Sequence, residues 1–463
     1  MVKRRAGILT IGLAGAAIAV AGADRAGEAG PSDLLVFTQL PAQASPDARY
    51  PEGARIVALD LSDPDARPQV LTPGFASARA PDVHFDGRRI VFAGQKDAGG
   101  PWQIWELDLD GRDPRLRVPS CERCTDPVYR ADDGLAFIAP VTAGEETRAV
   151  FTVGPDDGDP ERITFHPTSD AALALISDGR VIVGTGAVDP AAPARAYYAV
   201  RHDGTGVELM YRPPAAASLP GRAFETAERE LVFVERTAGG GDTRLVAVSE
   251  AYPASSRREI PVPGGVRLHS AAPGPDGSLI VSVREDDRAT YGLTRLAPGG
   301  APPGTVVPSA GAYHAVEPVL ATPRARPLGF VSAADPAAPS GTFFGLDARL
   351  HGLGGIDSAA AVLRVATPEG ELGRVPLAPD GSFHVELPPD TPLRFETLDV
   401  DGRRVRGPSA WTWIRPGELR GCHGCHESRA LAPANRVPIA ATEPAVSLLP
   451  EPAEPPATAH GGM

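Results

Sequence analysis

A chain of 463 residues is too long for one ordinary hydrophobic core, and its 50 prolines and 51 glycines leave little room for long helices. Its formal net charge of −13 argues against a nucleic-acid partner and is ordinary for the solvated surface of a secreted protein. The composition therefore favours an all-β protein with more than one core.

The first 23 residues have the pattern of a secretory signal peptide. Positions 3–5 are basic, residues 8–20 form an apolar run, and residues 21–23 are small enough for a cleavage site. The apolar run is too short to span a bilayer comfortably, so an uncleaved anchor is the lesser alternative. The pattern predicts a periplasmic protein with no membrane span in its mature form.

A polar turn followed by a short apolar strand recurs along the chain at intervals of 45 to 50 residues. This spacing is the period of a propeller blade. Further Asp-Gly turns lie within the repeats, which predicts four strands per repeat, joined by hairpins with two-residue turns. The fullest copy, residues 81–92, resembles TolB-type propeller repeats, which indicates a fold and not a function. The five copies begin at Asp86, Asp133, Asp178, Glu228 and Asp276.

The two ends of the repeat region complement each other. Leu34–Thr38 and Arg55–Leu59 read as the outer part of a blade, whereas Glu317–Leu320 and Leu328–Val331 read as two strands without a partner hairpin. Strands from both ends would together close a sixth blade and leave no open sheet edge. We therefore predict a six-bladed β-propeller over residues 32–335.

The pattern changes after the predicted propeller. A linker of small residues is followed by alternating strands and by two Asp-Gly turns separated by a strand of sandwich length. These features predict a small β-sandwich-like module over residues 338–412 and a short separate segment over residues 413–442. Residues 443–463 are rich in proline and alanine, which predicts a disordered tail.

The separate segment contains the sequence C-x-x-C-H. Cys422 and Cys425 have the spacing at which two thiols add to the vinyl groups of one haem, and His426 then reaches the iron as the proximal ligand. A plain disulfide and a zinc half-site are the alternatives, but a zinc site needs about four ligands and no second Cys/His pair of suitable spacing lies nearby. The pattern predicts one covalent haem c.

The other two cysteines, Cys121 and Cys124, are followed by Thr125, where a haem motif would require histidine. In an oxidising compartment a local disulfide is expected. A redox-active pair is the alternative, although such pairs normally begin a helix, and this one precedes a predicted strand.

The last 125 residues or so resemble the hydrazine synthase alpha subunit family. The resemblance rests on residues 380–388, 411–418, 421–429 and 432–436, and on the order of the parts. In that family the C-terminal haem is six-coordinate with two histidines and relays electrons, while a different haem, in the propeller part, takes part in making the N–N bond. This chain has a single C-x-x-C-H, so the resemblance implies the electron-relay haem and gives no support for hydrazine synthesis.

The second axial ligand would have to come from outside the pentapeptide. The resemblance favours His314, in a stretch similar to the family's loop next to the haem module, and His314 would then bind the iron opposite His426. A plain surface histidine is the alternative reading of His314. His384, in a predicted strand, is the second candidate.

These features predict a periplasmic mono-haem c-type cytochrome that transfers electrons to or from a redox partner protein such as another cytochrome, and that is not itself a hydrazine synthase. One alternative is a haem-dependent oxidoreductase with its substrate in the funnel of the propeller. Another is a haem-bearing sensing or interaction protein. The sequence leaves open whether the chain is an enzyme.

Overall fold

Strands and turns make up nearly all of the described structure. It is a computed structural model, and it describes residues 34–142, 145–186, 195–214, 217–237, 241–262, 264–298, 304–309, 311–352, 355–422 and 435–450. Within these residues the helical elements are two 3₁₀ turns, Pro275–Gly277 and Ile439–Thr442, so the all-β prediction is confirmed. No helix in these ranges is long and apolar enough to cross a membrane. The predicted signal peptide lies outside them.

The strands of the propeller follow one another in chain order. The first three are β1 (Leu34–Pro41), β2 (Arg55–Asp60) and β3 (Gln69–Val70). Blade two contains β4 (Ser77–Val83), β5 (Arg89–Gln95), β6 (Trp102–Asp108) and β7 (Arg115–Leu116). Blade three contains β8 (Thr125–Tyr129), β9 (Leu135–Pro140), β10 (Arg148–Val153) and β11 (Glu161–Arg162).

The next three blades have the same four-stranded order. Blade four contains β12 (Asp170–Leu175), β13 (Val181–Thr185), β14 (Ala196–Val200) and β15 (Glu208–Tyr211). Blade five contains β16 (Phe224–Glu225), β17 (Glu230–Arg236), β18 (Thr243–Ser249) and β19 (Arg258–Ile260). Blade six contains β20 (Arg267–Pro273), β21 (Leu279–Arg284), β22 (Gly292–Leu296) and β23 (Gly304–Val307), and β24 (Tyr313–Ala321) follows it.

Blade one is built from both ends of the propeller region, in the order β24-β1-β2-β3. Strand β24 pairs antiparallel with β1, so that Leu35 lies opposite Leu320 and Thr38 opposite Val316. The six-bladed propeller and its closure by both ends are therefore confirmed. The second closing strand predicted at Leu328–Val331 is wrong, because these residues form an exposed linker in which the Val331 side chain is 93% exposed.

The hairpin turns are longer than the two-residue turns predicted. The backbone N–H of His84 donates to the carbonyl of Arg89 at 2.9 Å, which encloses four residues. The N–H of Ile176 donates to the carbonyl of Arg180 at 3.0 Å and encloses three. Gly179 has a φ of 88°, a left-handed conformation that glycine adopts without steric cost. The Asp-Gly pairs thus mark the turns correctly, but they supply one left-handed residue, or two at Asp276-Gly277, to a three- or four-residue loop.

The hydrophobic core of the propeller lies between adjacent blades. For example, Ile182 and Tyr197 of blade four pack with Phe233 and Val246 of blade five, and all four are at most 1% exposed. Full burial of one such side chain contributes roughly 1.5–3 kcal/mol. Each blade is therefore stabilised mainly by its neighbours, which makes ring closure through β24 important for the whole propeller.

Residues 42–54, between β1 and β2, form a loop that spans the axis of the propeller, and we call it the axial loop. On one side Asp47 of the loop accepts a hydrogen bond of 2.9 Å from Nη1 of Arg236 in blade five. On another, Arg79 of blade two donates to the carbonyl of Ala48. Because blades two and five face each other across a six-bladed ring, the loop crosses the mouth of the central channel.

A buried ion pair joins blades one and two next to this loop. Glu317 of β24 and Arg79 of β4 pair with side chains that are 11% and 12% exposed. Thr38 Oγ1 donates to Glu317 at 2.7 Å and the backbone N–H of Ala80 donates to it at 2.8 Å. Burial alone would raise the pKa of Glu317, but the charge and hydrogen bond of Arg79 lower it to about 2.

We expect Glu317→Gln to lower the free energy of unfolding by about 3–5 kcal/mol at neutral pH, because Arg79 would remain buried without its charged partner. The folded-state pKa of about 2 lies below the unfolded value of about 4.3. The contribution of Glu317 is therefore present above the unfolded pKa and lost as pH falls towards 2. Urea denaturation at pH 7 and at pH 3 measures both effects.

The matched control for this prediction is Glu259→Gln. Glu259 pairs with Arg244 at 2.6 Å, but the two side chains are 45% and 48% exposed. An exposed ion pair contributes at most about 1 kcal/mol. An equal loss of unfolding free energy in Glu317→Gln and Glu259→Gln would contradict this prediction. So would a difference in unfolding free energy between the wild type and Glu317→Gln that is as large at pH 3 as at pH 7.

The chain after the propeller folds into two four-stranded sheets and a short hairpin. The strands are β25 (Gly341–Gly345), β26 (Leu350–His351), β27 (Gly355–Ile356), β28 (Val362–Thr367), β29 (Gly370–Pro376), β30 (Phe383–Leu387), β31 (Arg394–Leu398), β32 (Arg404–Arg406), β33 (Leu419–Cys422) and β34 (Val446–Ser447). One sheet has the order β33-β25-β30-β34 and the other the order β29-β28-β31-β32. Phe343, Val365 and Val385 belong to a shared buried core, as expected for a sandwich.

The sandwich includes residues beyond the predicted boundary at 412. Strand β33 pairs with β25, and β34 pairs with Val385 and Glu386 of β30. The part of the predicted disordered tail that the structure describes, residues 443–450, thus contains a strand of the sandwich. Composition suggested disorder there because proline-rich segments rarely form a core, but two ladder positions on an existing sheet need no core of their own.

Candidate functional site

Cys422, the first cysteine of the C-x-x-C-H sequence, is the last residue of strand β33. Its backbone pairs in register with Gly345 of β25, and its carbonyl accepts a hydrogen bond of 2.9 Å from the N–H of Leu346. The side chain is half-buried. The sandwich therefore positions the first predicted thioether anchor, whereas Cys425 and His426 lie outside the described residues.

Cys422 lines a cleft of about 660 Å³ between the sandwich and the propeller. The sandwich side supplies Phe343, Phe383, Phe395 and Trp411, and the propeller side supplies Tyr198 and Leu209 of blade four and Tyr252 of blade five. Both the volume and the largely apolar, aromatic lining are typical of a cofactor site. The sequence did not predict this cleft, because its propeller wall ends at Ser255 and its sandwich wall begins only at Phe343.

Two arginines contribute to the wall of the cleft. Arg420 lies over the ring of Phe343, with its guanidinium carbon 5.6 Å from the ring centre, and its Nη2 is 2.6 Å from Glu418. Arg406 pairs with Asp357, and its hydrogen bonds lower the pKa of that carboxyl group. The cleft thus combines apolar walls, a cysteine, these two paired arginines and three acidic residues, Glu208, Asp347 and Glu396. The apolar walls and the cysteine fit the ring and vinyl groups of a haem, and the arginines fit its two carboxylates.

The two tryptophans before the motif have different environments. Trp411 lines the cleft, with the guanidinium carbon of Arg394 4.8 Å from its ring centre. Trp413 is fully buried against Phe165 and His166 of the propeller, and its Nε1 donates to the carbonyl of Gly204 at 2.9 Å. Trp411 can therefore contact a ligand in the cleft, whereas Trp413 joins the sandwich to the propeller.

Arg415 strengthens the same junction, and the sequence did not single it out. Its guanidinium pairs with Glu161 of blade three at 2.5 Å and with Asp390 of the sandwich at 2.9 Å, while its side chain is only 6% exposed. The surrounding sequence, Trp-x-Arg-Pro-Gly-Glu, could have indicated it, because a short run combining bulky and charged residues is typical of a buried interface. The junction holds the two walls of the cleft together.

The structure does not bring His314 and Cys422 together. His314 lies on β24 of blade one, where its Nδ1 accepts from the N–H of Tyr291 at 3.0 Å and its Nε2 lies 3.1 Å from the carbonyl of Ala42. The cleft adjoins blades four and five, on the far side of the ring. Burial is the main cause of the lowered pKa of His314, which favours the neutral ring. Its assignment as the second axial ligand stays a prediction, and this geometry does not favour it.

Two other histidines lie closer to the cleft. His384 follows Phe383, which lines the cleft, and its Nδ1 lies 3.3 Å from the carbonyl of Glu443. His166 is buried beside Tyr198, with 4.5 Å between the ring centres. Its Nδ1 is 3.0 Å from Asp170, and its Nε2 has no hydrogen-bond partner among the described residues. A carboxylate that orients one ring nitrogen and leaves the other available is the usual arrangement of a metal-binding histidine.

Cys121 and Cys124 form a disulfide in the connection between blades two and three. Their bond agrees with the expected local disulfide. Cys124 is fully buried in the core between these blades. The pair is therefore part of the packing of the propeller and is separate from the cleft.

A family model described as the hydrazine synthase alpha subunit middle domain matches residues 349–427. The matched stretch contains most of the sandwich, both arginines of the cleft wall and the whole C-x-x-C-H sequence. This part of the chain, which follows the propeller, is therefore similar to the hydrazine synthase alpha subunit middle domain. The middle-domain match, which the sequence resemblance anticipated, covers the cleft residues from Gly352 to Cys422, whereas Phe343 and the propeller wall of the cleft lie outside it.

One curated relative is the hydrazine synthase subunit alpha of Kuenenia stuttgartiensis, which is 39% identical over 108 residues. The alignment covers 22% of this chain and only 13% of that relative. A solved structure of Kuenenia stuttgartiensis hydrazine synthase matches with a TM-score of 0.74 and 20% identity, over 89% of this chain and 72% of that chain. The whole-chain likeness therefore concerns the fold alone.

TolB from Acinetobacter baumannii is also similar in structure. It matches with a TM-score of 0.42 and 13% identity, over 63% of this chain and 67% of that chain. A likeness at this level carries no argument about the site. The propeller assignment rests on the six sheets of this chain.

Proposed function

We propose that the chain is a periplasmic c-type cytochrome with one covalent haem, and that it transfers electrons. The observation that carries the proposal is that Cys422 of the C-x-x-C-H sequence lines an apolar cleft of about 660 Å³. Arg406 and Arg420 contribute two cations to the same wall. A cleft of this composition suits a flat, apolar cofactor with carboxylates at its edge.

Each residue of the site has a distinct role in this proposal. Cys422 and Cys425 would anchor the cofactor, and His426 would bind its iron. The arginines would offset the charge of its carboxylates, while the aromatic walls would exclude water. Haem in such a site supplies one-electron chemistry, with a potential that depends on axial ligands, hydrogen bonding and burial.

The alternative in which a substrate occupies the funnel of the propeller receives no support from the channel. The axial loop crosses one mouth. Below it Arg222, at the start of blade five, donates to the carbonyl of Pro81 in blade two at 3.1 Å and so crosses the axis. Because the axial loop and Arg222 cross the centre of the propeller, a scaffold role agrees with the structure better than a substrate-binding funnel does. The sensing or interaction alternative is separated from electron transfer by the spectra described below.

We also propose that the chain is not itself a hydrazine synthase. It has one C-x-x-C-H sequence, and its second cysteine pair forms a disulfide instead. The aligned part covers a small share of the hydrazine synthase subunit, so that protein's activity does not transfer to this chain.

The disulfide suits an oxidising compartment and thus export to the periplasm. With a formal charge of −13, a basic redox partner such as another cytochrome would be attracted electrostatically.

For the second axial position we propose His166 as the ligand to be tested against His314. His166 has a carboxylate partner on Nδ1 and an Nε2 without a partner among the described residues, and it packs on Tyr198 of the cleft wall. Reaching the cleft requires Tyr198 to turn aside. His314 would instead have to break two hydrogen bonds to the backbone.

Optical and EPR spectra of the purified, haem-loaded protein test this assignment. We expect a low-spin spectrum that becomes high-spin in His166→Ala and stays low-spin in His314→Ala. Conversion by His314→Ala instead would support the sequence-based assignment. His84→Ala is the matched control, because His84 is equally buried but pairs with Asp86 and Asp133 through its two nitrogens.

The spectrum of the unmodified protein separates the proposed function from its alternatives. A low-spin iron has no open position and agrees with electron transfer. A high-spin iron whose spectrum shifts with small added ligands would contradict the electron-transfer proposal and favour catalysis or sensing. Absence of covalent haem from protein matured in a host that attaches haem c would overturn the cofactor assignment itself.

A further inference from the structure

Five arginines converge around the axial loop, and we call them the arginine cluster. Arg49 belongs to the loop, Arg79 to blade two, Arg123 to the connection between blades two and three, Arg148 to blade three, and Arg222 to the start of blade five. None of them takes part in the cleft at Cys422 or in its wall. The cluster therefore has no role in the proposed electron transfer.

Hydrogen bonds tie three of these arginines to the loop or across the channel. Arg148 donates to the hydroxyl of Tyr50 in the axial loop and, through Nη1, to the carbonyl of Arg123 at 3.0 Å. Arg79 donates to the loop carbonyl of Ala48. Arg222 reaches across the axis to the opposite blade. The guanidiniums thus enclose the region beneath the loop from several blades.

The cluster carries more positive than negative charge. Arg79 pairs with Glu317, and Asp126 interacts with both Arg49 and Arg79. Asp47 pairs with Arg236, so Glu317 and Asp126 are the carboxylates that act on Arg79 and Arg49, and no carboxylate is among the main influences on Arg148. Positive charge thus predominates around Arg148, inside a chain whose overall charge is −13. Arg148 is buried and the other four arginines are half-buried, and a charge removed from water without a counter-charge is costly.

Arg79, which forms an ion pair with Glu317, behaves differently from Arg49 and Arg148. The pKa of Arg79 is raised overall, because Glu317 and Asp126 outweigh the opposing effect of burial. The pKa values of Arg49 and Arg148 are lowered, mainly by burial, with a further contribution from repulsion between neighbouring arginines. The local field around Arg49 and Arg148 is thus that of a site with too few anions.

Several buried donors of this region point at no acceptor. Arg49 Nη1, Arg148 Nε, Arg222 Nη2 and the hydroxyl of Thr125 have no hydrogen-bond partner among the described residues. Arg148 and Thr125 are each 1% exposed. A buried donor that lacks an acceptor costs roughly 1–3 kcal/mol, and more if it is charged. Four such donors in one region indicate that a group with several acceptor atoms belongs there.

We propose that the arginine cluster binds a small inorganic oxyanion beneath the axial loop. Such an anion supplies the missing negative charge and several acceptor oxygens in one compact group, which matches guanidinium donors well. Ordered water would satisfy the donors but not the excess charge. Because Arg49 and Tyr50 belong to the axial loop, the anion also fixes the loop across the channel mouth.

Thermal unfolding of the full-length protein measures the proposed binding. The buffer is chloride-free, with gluconate to hold ionic strength constant, and the probes are sulfate, phosphate and nitrate as sodium salts. A ligand that binds only the folded state stabilises it by RT ln(1 + [L]/Kd), so the melting temperature should rise with probe concentration in a saturable way. The relative effects of sulfate, phosphate and nitrate on the melting temperature show whether the site selects anions by charge or by shape.

Variants of the cluster test whether binding occurs there. We expect Arg49→Met and Arg222→Met each to lower the affinity for the anion at least tenfold. Each substitution removes a guanidinium that has a donor without a partner among the described residues. Arg244→Met is the matched control, since Arg244 is an exposed propeller arginine that pairs with Glu259. Two results would overturn the proposal. In one, the anions raise the melting temperature equally in all three variants. In the other, none of the three anions raises the melting temperature of the wild type.

A crystal structure of the unmodified protein tests the site even if the cluster variants do not fold. Crystals of the unmodified protein grown with selenate, a sulfate analogue, should show an anomalous peak within hydrogen-bond distance of Arg49 and Arg222. A map with ordered water and no anomalous signal between these arginines would refute the site. Neither result depends on the haem, so failure here leaves the electron-transfer proposal unaffected.

Discussion

Replacing Cys422 and Cys425 together with alanine should abolish covalent haem attachment, whereas replacing Cys121 and Cys124 together should not. The first pair provides the only thiols at haem-binding spacing followed by histidine. The second pair is joined as a disulfide between blades two and three. Haem staining of the denatured protein after electrophoresis measures attachment directly, because only covalently bound haem survives denaturation.

The Cys121→Ala/Cys124→Ala variant is a matched control in composition and in the number of thiols removed. It should keep full haem content and lose only the contribution of a short disulfide loop, about 2 kcal/mol. Covalent haem in the Cys422→Ala/Cys425→Ala variant, or loss of haem in both variants alike, would contradict the assignment of the motif.

Trp413→Ala should produce the largest loss of stability among single substitutions at the junction of sandwich and propeller. The side chain is fully buried against Phe165 and His166, and its N–H donates to the carbonyl of Gly204. Removing a buried tryptophan costs about 3–5 kcal/mol through lost burial and the cavity left behind. The urea midpoint of the full-length, haem-loaded protein should fall accordingly.

Trp411→Ala provides the matched control, two residues away. Trp411 lines the cleft and is only partly buried, so we expect less than about 1.5 kcal/mol of destabilisation and a changed haem spectrum. If the two variants lose equal stability, or if Trp411→Ala leaves the spectrum unchanged, the division between a structural and a cofactor-facing tryptophan is incorrect.

The position of the cleft bears on how the haem-bearing segment relates to the rest of the chain. Cys422 ends a strand of the sandwich, and the far wall of the cleft belongs to blades four and five. The proposed cofactor therefore lies between two domains held together by Trp413 and Arg415. We expect changes at this junction to alter the haem environment even though neither residue lines the cleft.

The two proposed sites lie in different parts of the propeller. The arginine cluster lies beneath the axial loop at the propeller axis, whereas the cleft adjoins the outer strands of blades four and five. An anion beneath the loop would stabilise the propeller without contacting the cofactor. The two proposals can consequently be tested independently in the same protein.

The sequence by itself determined the features that depend on local pattern. The interval of 45 to 50 residues predicted the blades, because each blade repeats the same strands and turns and each strand has a short apolar run. The alternation after residue 338 predicted the sandwich, and the spacing of Cys422, Cys425 and His426 predicted the haem motif. Local pattern was weaker for Leu328–Val331, where apolar residues suggested a strand but no neighbouring edge was left to pair with them.

Only the tertiary structure decided which distant residues meet. The cleft joins Cys422 to Tyr198, the axial loop joins blade two to blade five, and His314 lies across the ring from the cleft. No periodicity encodes these distances, because they depend on how six blades close into a ring and on where the sandwich docks. A motif identifies the chemistry of a segment, but its surroundings follow from long-range packing.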